Sequence, residues 1–160
     1  MNDGEIPDEF VLRMANEKAL HVAAILPEGK VVIAADTIVL LDQKVLGKPV
    51  DESEAYKMLE LLSGKTHKVL TAFCIALAPD KVLHSEICTT EVDIEQLVPG
   101  EIQSYIKTKE PMDKAGSYAI QGIGAFMVKE IRGSYTNVVG LPVLELLKAL
   151  KKLELIEFYI

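Results

Sequence analysis

A chain of 160 residues, 49% hydrophobic and 26% charged, suits one domain with a core that folds unaided. Its formal net charge of −7 argues against binding a nucleic-acid polymer, which needs a basic face to displace counterions, but a nucleotide needs only a few local cations. The longest apolar run, Val69 to Ala78 broken only by Thr71, is too short to span a bilayer, and no signal segment opens the chain, so no membrane role and a cytoplasmic setting are expected.

Pro7 with Asp8 and Glu9 opens a predicted helix, since proline suits the first turn and acids suit its positive end. Phe10, Val11, Met14, Lys18, Val22 and Ile25 carry its repeat, and Pro27 with Gly29 ends it. Two strands are expected next, Lys30–Ala35 and Thr37–Leu41, then a short one at Val45-Leu46. Asp51 and Glu54 make a capping box for a helix reaching Leu62, closed by Gly64. Thr66–Ala78 and Lys81–Ile94 read as a hairpin about Pro79-Asp80. Pro99 starts a helix to about Lys107, and Glu110–Gly116 is a loop. Strands follow at Tyr118–Gln121 and Ala125–Ile131, and a last helix spans about Leu141–Leu153. With no linker or repeat, the pattern is that of an α/β fold, a single domain around a mixed, twisted sheet flanked by helices.

Cys74 and Cys88 flank the hairpin turn and read as two free thiols rather than a disulfide. His21, His67 and His84 have no zinc spacing.

Chemistry enters at Ala34-Ala35-Asp36-Thr37, where an apolar strand runs into a carboxylate. An acid at the end of a buried strand is costly unless it binds a metal, pairs with a cation or takes part in a reaction. In Gly47-Lys48-Pro49 a lysine sits on a short, stiff loop where its ammonium can meet a phosphate. Three further segments carry polar groups. Ser63-Gly64-Lys65-Thr66-His67 joins a helix end to a strand. Asp113 to Gly122 holds Lys114, a glycine turn and Gln121. Gly133 to Pro142 is a polar loop before the last helix.

Plainer readings stand beside these. Asp36 could be a turn or cap acid, Lys48 and Lys114 solvated lysines, Thr37 a simple β-former and Gln121 a sheet-edge amide. Glu17 and Lys18 read as a helix-surface pair. Glu91 and Asp93 alternate as on a wet sheet face. His67 reads as a strand-start residue ordering its neighbouring loop rather than as a base. Ser63, Tyr135 and Asn137 either position substrate or build turns.

Taken in order, these residues resemble the Maf family of nucleoside triphosphate pyrophosphatases. The likeness runs through Glu17-Lys18-Ala19, Ala35-Asp36-Thr37, Gly47-Lys48-Pro49, Ser63-Gly64-x-x-His67-x-Val69-x-Thr71, Lys114-Ala115-Gly116-x-Tyr118-x-Ile120-Gln121-Gly122 and Gly133-Ser134-Tyr135-x-Asn137-Val138-x-Gly140-Leu141-Pro142, nearly the whole chain. It implies a fold like that of Maf and inosine-triphosphatase proteins, with a cleft where Asp36, Lys48, Lys114 and Gln121 converge. It also implies hydrolysis of a nucleoside triphosphate to the monophosphate and pyrophosphate with Mg²⁺ or Mn²⁺.

By the same resemblance, Asp36 accepts the proton of the attacking water and binds the metal, with Glu17 a lesser metal candidate. Lys48 and Lys114 serve catalysis on the triphosphate, and Ser63 and Asn137 are candidate substrate contacts. Thr37 and Gln121 match the branch acting on dTTP and UTP; the branch acting on 7-methyl-GTP carries Gln and Glu at these places. Family members begin with a strand, an SxSPRR loop and an acidic segment that are not seen before the first helix here, so an amino-terminally truncated member is expected. The resemblance further implies self-association as a homodimer. The alternative is a catalytically weak regulatory or partner-binding protein linked to septum formation and cell division.

Overall fold

The computed structural model describes residues 1–157 and divides the chain into two compact units. The first comprises Met1–Asp36, Thr71–Cys88 and the chain from Gly140 onward; the second comprises Thr37–Leu70 and Thr89–Val139. Five strands, β1 (Val31–Leu41), β2 (Lys44–Leu46), β3 (Thr66–Leu77), β4 (Lys81–Ile94) and β5 (Val128–Arg132), form one sheet in the order β2-β1-β3-β4-β5. Helices α1 (Pro7–Ala23), α2 (Glu52–Leu62), α3 (Pro99–Lys107), α4 (Tyr135–Val139) and α5 (Val143–Lys152) complete the α/β architecture expected from the sequence. β1 pairs with β2 and β4 with β5 antiparallel.

In the first unit, α1 has Pro7 at its first position and Asp8 and Glu9 in its first turn, as its sequence suggests. Its buried face is Val11, Ala15, Ala19 and Ala23, however, while Val22 and Ile25 are exposed. Alanine leaves room for close packing of a helix backbone, and the three alanines in line here are fully buried. The core of this unit gathers Phe73 and Ile75 from β3 with Leu146, Ala149 and Leu150 from α5.

In the second unit, Asp51 caps α2 by accepting from Glu54 N at 2.8 Å. Glu54 reaches back to Val50 N at 2.7 Å, one residue further than in a standard capping box. Helix α3 begins and ends where its proline and its last apolar residue place it. This unit's core joins Val39, Leu59, Leu62, Val69, Val92, Ile102, Tyr105, Tyr118 and Met127, among others. β3 is buried almost continuously, as its unbroken apolar run requires of a central strand.

Three expectations are corrected. The two strands expected on either side of Asp36 are one, β1, because β-branched residues carry the extended chain across the acid. Tyr118–Gln121 is not a strand, and Ile123–Met127 is a 3-10 turn before β5, since side chains satisfy backbone amides there that a ladder would otherwise take. Part of the polar loop after Gly133 winds into α4, with Ser134 Oγ accepting from Asn137 N at 3.2 Å.

Candidate active site

In the first unit, Asp36 lies mid-strand in β1 with its side chain 18% exposed. Lys18, from the surface of α1, forms a salt bridge to Asp36 Oδ1. Glu17 does not pair with Lys18; its Oε1 accepts from Arg13 Nη1 at 2.9 Å, and Arg13 also holds Glu5 at 2.7 Å. The expected helix-surface pair is therefore divided. Glu17 belongs to an arginine cluster, and Lys18 is the cation that meets the buried-strand acid. Arginine beside Glu5 holds that carboxyl at about 2, which keeps the cluster charged across the physiological range.

The second unit brings both candidate lysines to one place. Gly116 N donates to Gly47 O at 3.0 Å, tying the Lys48 loop to the Lys114 loop. Gly116 has φ +68°, and a Cβ there would come within 3.0 to 3.2 Å of three atoms of Val39, so the turn admits only glycine without strain. Lys114 Nζ meets Asp113 Oδ1 at 2.6 Å. Lys114 lowers the Asp113 carboxyl below its ordinary range, and Lys48 adds to the effect. Lys114 is thus paired with an exposed acid, and Lys48 adds a second positive charge to that acid's surroundings.

Gln121 is exposed on the segment following Tyr118. That segment is anchored at Tyr118, whose hydroxyl lies 2.8 Å from His67 Nε2. His67 is 2% exposed, and burial pushes its pKa down to about 4, with Asp93 pulling the other way. It is neutral near pH 7 and binds Tyr118, 51 residues further along the chain, rather than the loop beside it in sequence. Thr37 is half-buried in β1.

Ser63 and Asn137 are engaged with the fold. Ser63 Oγ accepts from Leu97 N at 2.8 Å and from Gln96 Nε2 at 3.1 Å. Asn137 is fully buried and donates from Nδ2 to Val69 O and Thr90 Oγ1, each at 3.0 Å. Glu91 and Asp93 face solvent as expected and share Arg132.

Among the described residues, no group of three or more His, Cys, Asp or Glu side chains gathers to hold a metal ion. A protein-only cage is thus absent there. Mg²⁺ commonly takes one or two carboxylates and completes its shell with water and substrate phosphates; of the two candidates, Asp36 is paired with Lys18 and Glu17 with Arg13.

Comparison with known proteins fixes what these residues belong to. The Maf-like protein family matches residues 2–153. This chain belongs to the Maf-like family. It is 49% identical over 146 residues to the dTTP/UTP pyrophosphatase of Desulfotalea psychrophila, covering 91% of this chain and 74% of that protein. The dTTP/UTP pyrophosphatase of Carboxydothermus hydrogenoformans is also 49% identical over 146 residues, covering 91% of this chain and 78% of that one. That of Clostridium botulinum is 47% identical over 135 residues, 84% of this chain and 72% of that protein.

Sequence reasoning passed over two residues. Lys18 was visible only as a charge on a helix surface, because its partner lies 18 residues away in β1. Glu110 read as loop; its carboxylate in fact binds the backbone just after Gln121.

Proposed function

We propose that this chain hydrolyses dTTP and UTP to the monophosphate and pyrophosphate. One observation carries the reading: near 50% identity, over 91% of this chain, to proteins named for that activity. The residues fit the chemistry. Asp36 supplies a carboxylate to accept the proton of the attacking water. Lys48 and Lys114 neutralise triphosphate oxygens and stabilise charge moving onto the departing pyrophosphate. Gln121 presents an amide, with a donor and an acceptor that match the imide edge of thymine or uracil, and Thr37 assists that selection. A divalent cation, Mg²⁺ or Mn²⁺, bound through Asp36 and substrate oxygens, would supply further charge neutralisation.

The proposed setting is the cytoplasm; among the described residues no helix is long and apolar enough to cross a membrane. Self-association as a homodimer is part of the proposal, and sedimentation showing only monomer at micromolar concentration would count against it. The regulatory alternative tied to cell division has no observation of its own in its favour. The test is pyrophosphate release from dTTP and UTP with and without Mg²⁺. Release that needs the cation supports the whole reading, and no release from either nucleotide contradicts it.

A further inference from the structure

Gln121 stands on a short exposed stretch whose backbone is bound on either side by one of two side chains that are hydrogen-bonded to each other. On its carboxyl side, Glu110 Oε2 accepts from Ile123 N and Oε1 from Gly124 N, each at 2.9 Å. On its amino side, Ala119 N donates to the Tyr105 hydroxyl at 3.1 Å, and that hydroxyl donates to Glu110 Oε1 at 2.9 Å. The loop closes tightly over the pair. A Cβ on Gly122, at φ +110°, would lie 2.6 Å from Glu110 Oε2, and one on Gly124 would lie 2.6 Å from the Tyr105 oxygen. Tyr105 is itself fixed, 2% exposed within the core of the second unit.

The carboxylate is held in its charged form. Burial pushes the Glu110 carboxyl up, but the Gly124 and Ile123 amides, the Tyr105 hydroxyl and Lys114 together bring it below its ordinary value. An ionised carboxylate accepting three hydrogen bonds is a stiffer tether than neutral groups would make. Nothing in this arrangement requires a functional loop for its own sake. What it fixes is the course of the backbone on either side of the exposed Gln121.

We propose that Glu110, with Tyr105, is a positioning residue for base selection, clamping residues 119 and 122–124 so that the Gln121 amide is preset for a pyrimidine imide edge. The proposal rests on the reading of Gln121 as the residue that meets the base. A preset amide discriminates because a mismatched edge leaves a polar group unpaired, whereas a loose loop can turn to accommodate it.

The experiment compares wild type, Glu110→Gln, Tyr105→Phe and Gln121→Ala on dTTP, UTP and dCTP, with hydrogen exchange of residues 119–124 followed in parallel. Gln at 110 keeps the shape but turns an amide NH₂ toward a backbone N–H. Faster exchange in that segment is expected for both clamp variants. The dTTP-over-dCTP ratio of kcat/KM should fall about tenfold, roughly the value of one hydrogen bond, through KM more than kcat. In a Gln121→Ala background, Glu110→Gln should lower the ratio no further.

An unchanged ratio in both clamp variants despite faster exchange would overturn the proposal. So would an additive loss in the double variant, which would mean that Glu110 acts otherwise than through Gln121. Should Glu110→Gln not fold, Tyr105→Phe, which keeps the buried ring, decides by the same criteria. A wild-type chain inert on every triphosphate would overturn the pyrophosphatase reading instead, and this assignment with it.

Discussion

His67 Nε2 lies 2.8 Å from the Tyr118 hydroxyl, joining β3 to the segment that carries Gln121. Burial places the histidine pKa at about 4, against an ordinary value of 6.5. Because the folded-state value is depressed, the unfolded chain binds the extra proton first as pH falls. Stability from this group is complete above 6.5 and is lost as pH drops from there toward 4, by about 3 kcal/mol in all. Urea unfolding at pH 7 and pH 4.5 checks this. Wild type should lose more stability across the interval than His67→Gln; equal losses would show that His67 is not buried in its neutral form.

Asn137 separates structure from substrate binding. Its amide donates to Val69 O and Thr90 Oγ1 inside the second unit. Asn137→Ala should destabilise the protein by about 2 kcal/mol, the scale for stranding buried acceptors. An unchanged urea midpoint with lost turnover would assign it to substrate instead.

The lysines carry the opposite expectation. Lys48 and Lys114 stand on loops tied by the Gly116–Gly47 hydrogen bond, and Lys114 is 41% exposed. Lys48→Ala and Lys114→Ala should each lower kcat/KM by about tenfold or more through lost charge on the triphosphate. Thermal midpoints should barely move. Variants that unfold early but turn over normally would make them structural.

Gly116→Ala probes the tie itself. With φ +68° and Val39 at 3.0 Å from any Cβ, it should cost about 1–3 kcal/mol in strain. Activity should fall with it, since the turn presents Lys114 beside Lys48. Calorimetry and dTTP turnover read the two effects; a stable, fully active variant would show that the loop geometry is not critical.

Elements with local signals were legible. Pro99 and the repeat behind it placed α3 at Pro99–Lys107, and two long β-rich segments about the Pro79-Asp80 turn placed β3 and β4. Asp36 misled because a lone acid in an apolar run looks like punctuation, although the chain's β-branched residues carry the strand on to Leu41. Tyr118–Gln121 misled for the converse reason. Its alternation suits a strand, but Tyr105 takes the Ala119 amide within it and Glu110 takes the Ile123 and Gly124 amides just after it. Candidate residues were found wherever chemistry sat in a short motif. Lys18 and Glu110 escaped because each acts on a partner 13 or more residues away, which no local pattern records.

Asp36 bears the central claim, and Asp36→Asn tests it most directly. Asparagine keeps the shape but neither the charge nor the basicity, so a general-base role predicts a loss of about 100-fold or more in pyrophosphate release from dTTP. The measurement is kcat for wild type and variant, with circular dichroism confirming an intact fold and chromatography identifying the products. The account predicts thymidine monophosphate and pyrophosphate from wild type and next to none from the variant. Near-normal pyrophosphate release by Asp36→Asn, or wild-type products of diphosphate and orthophosphate, would contradict it.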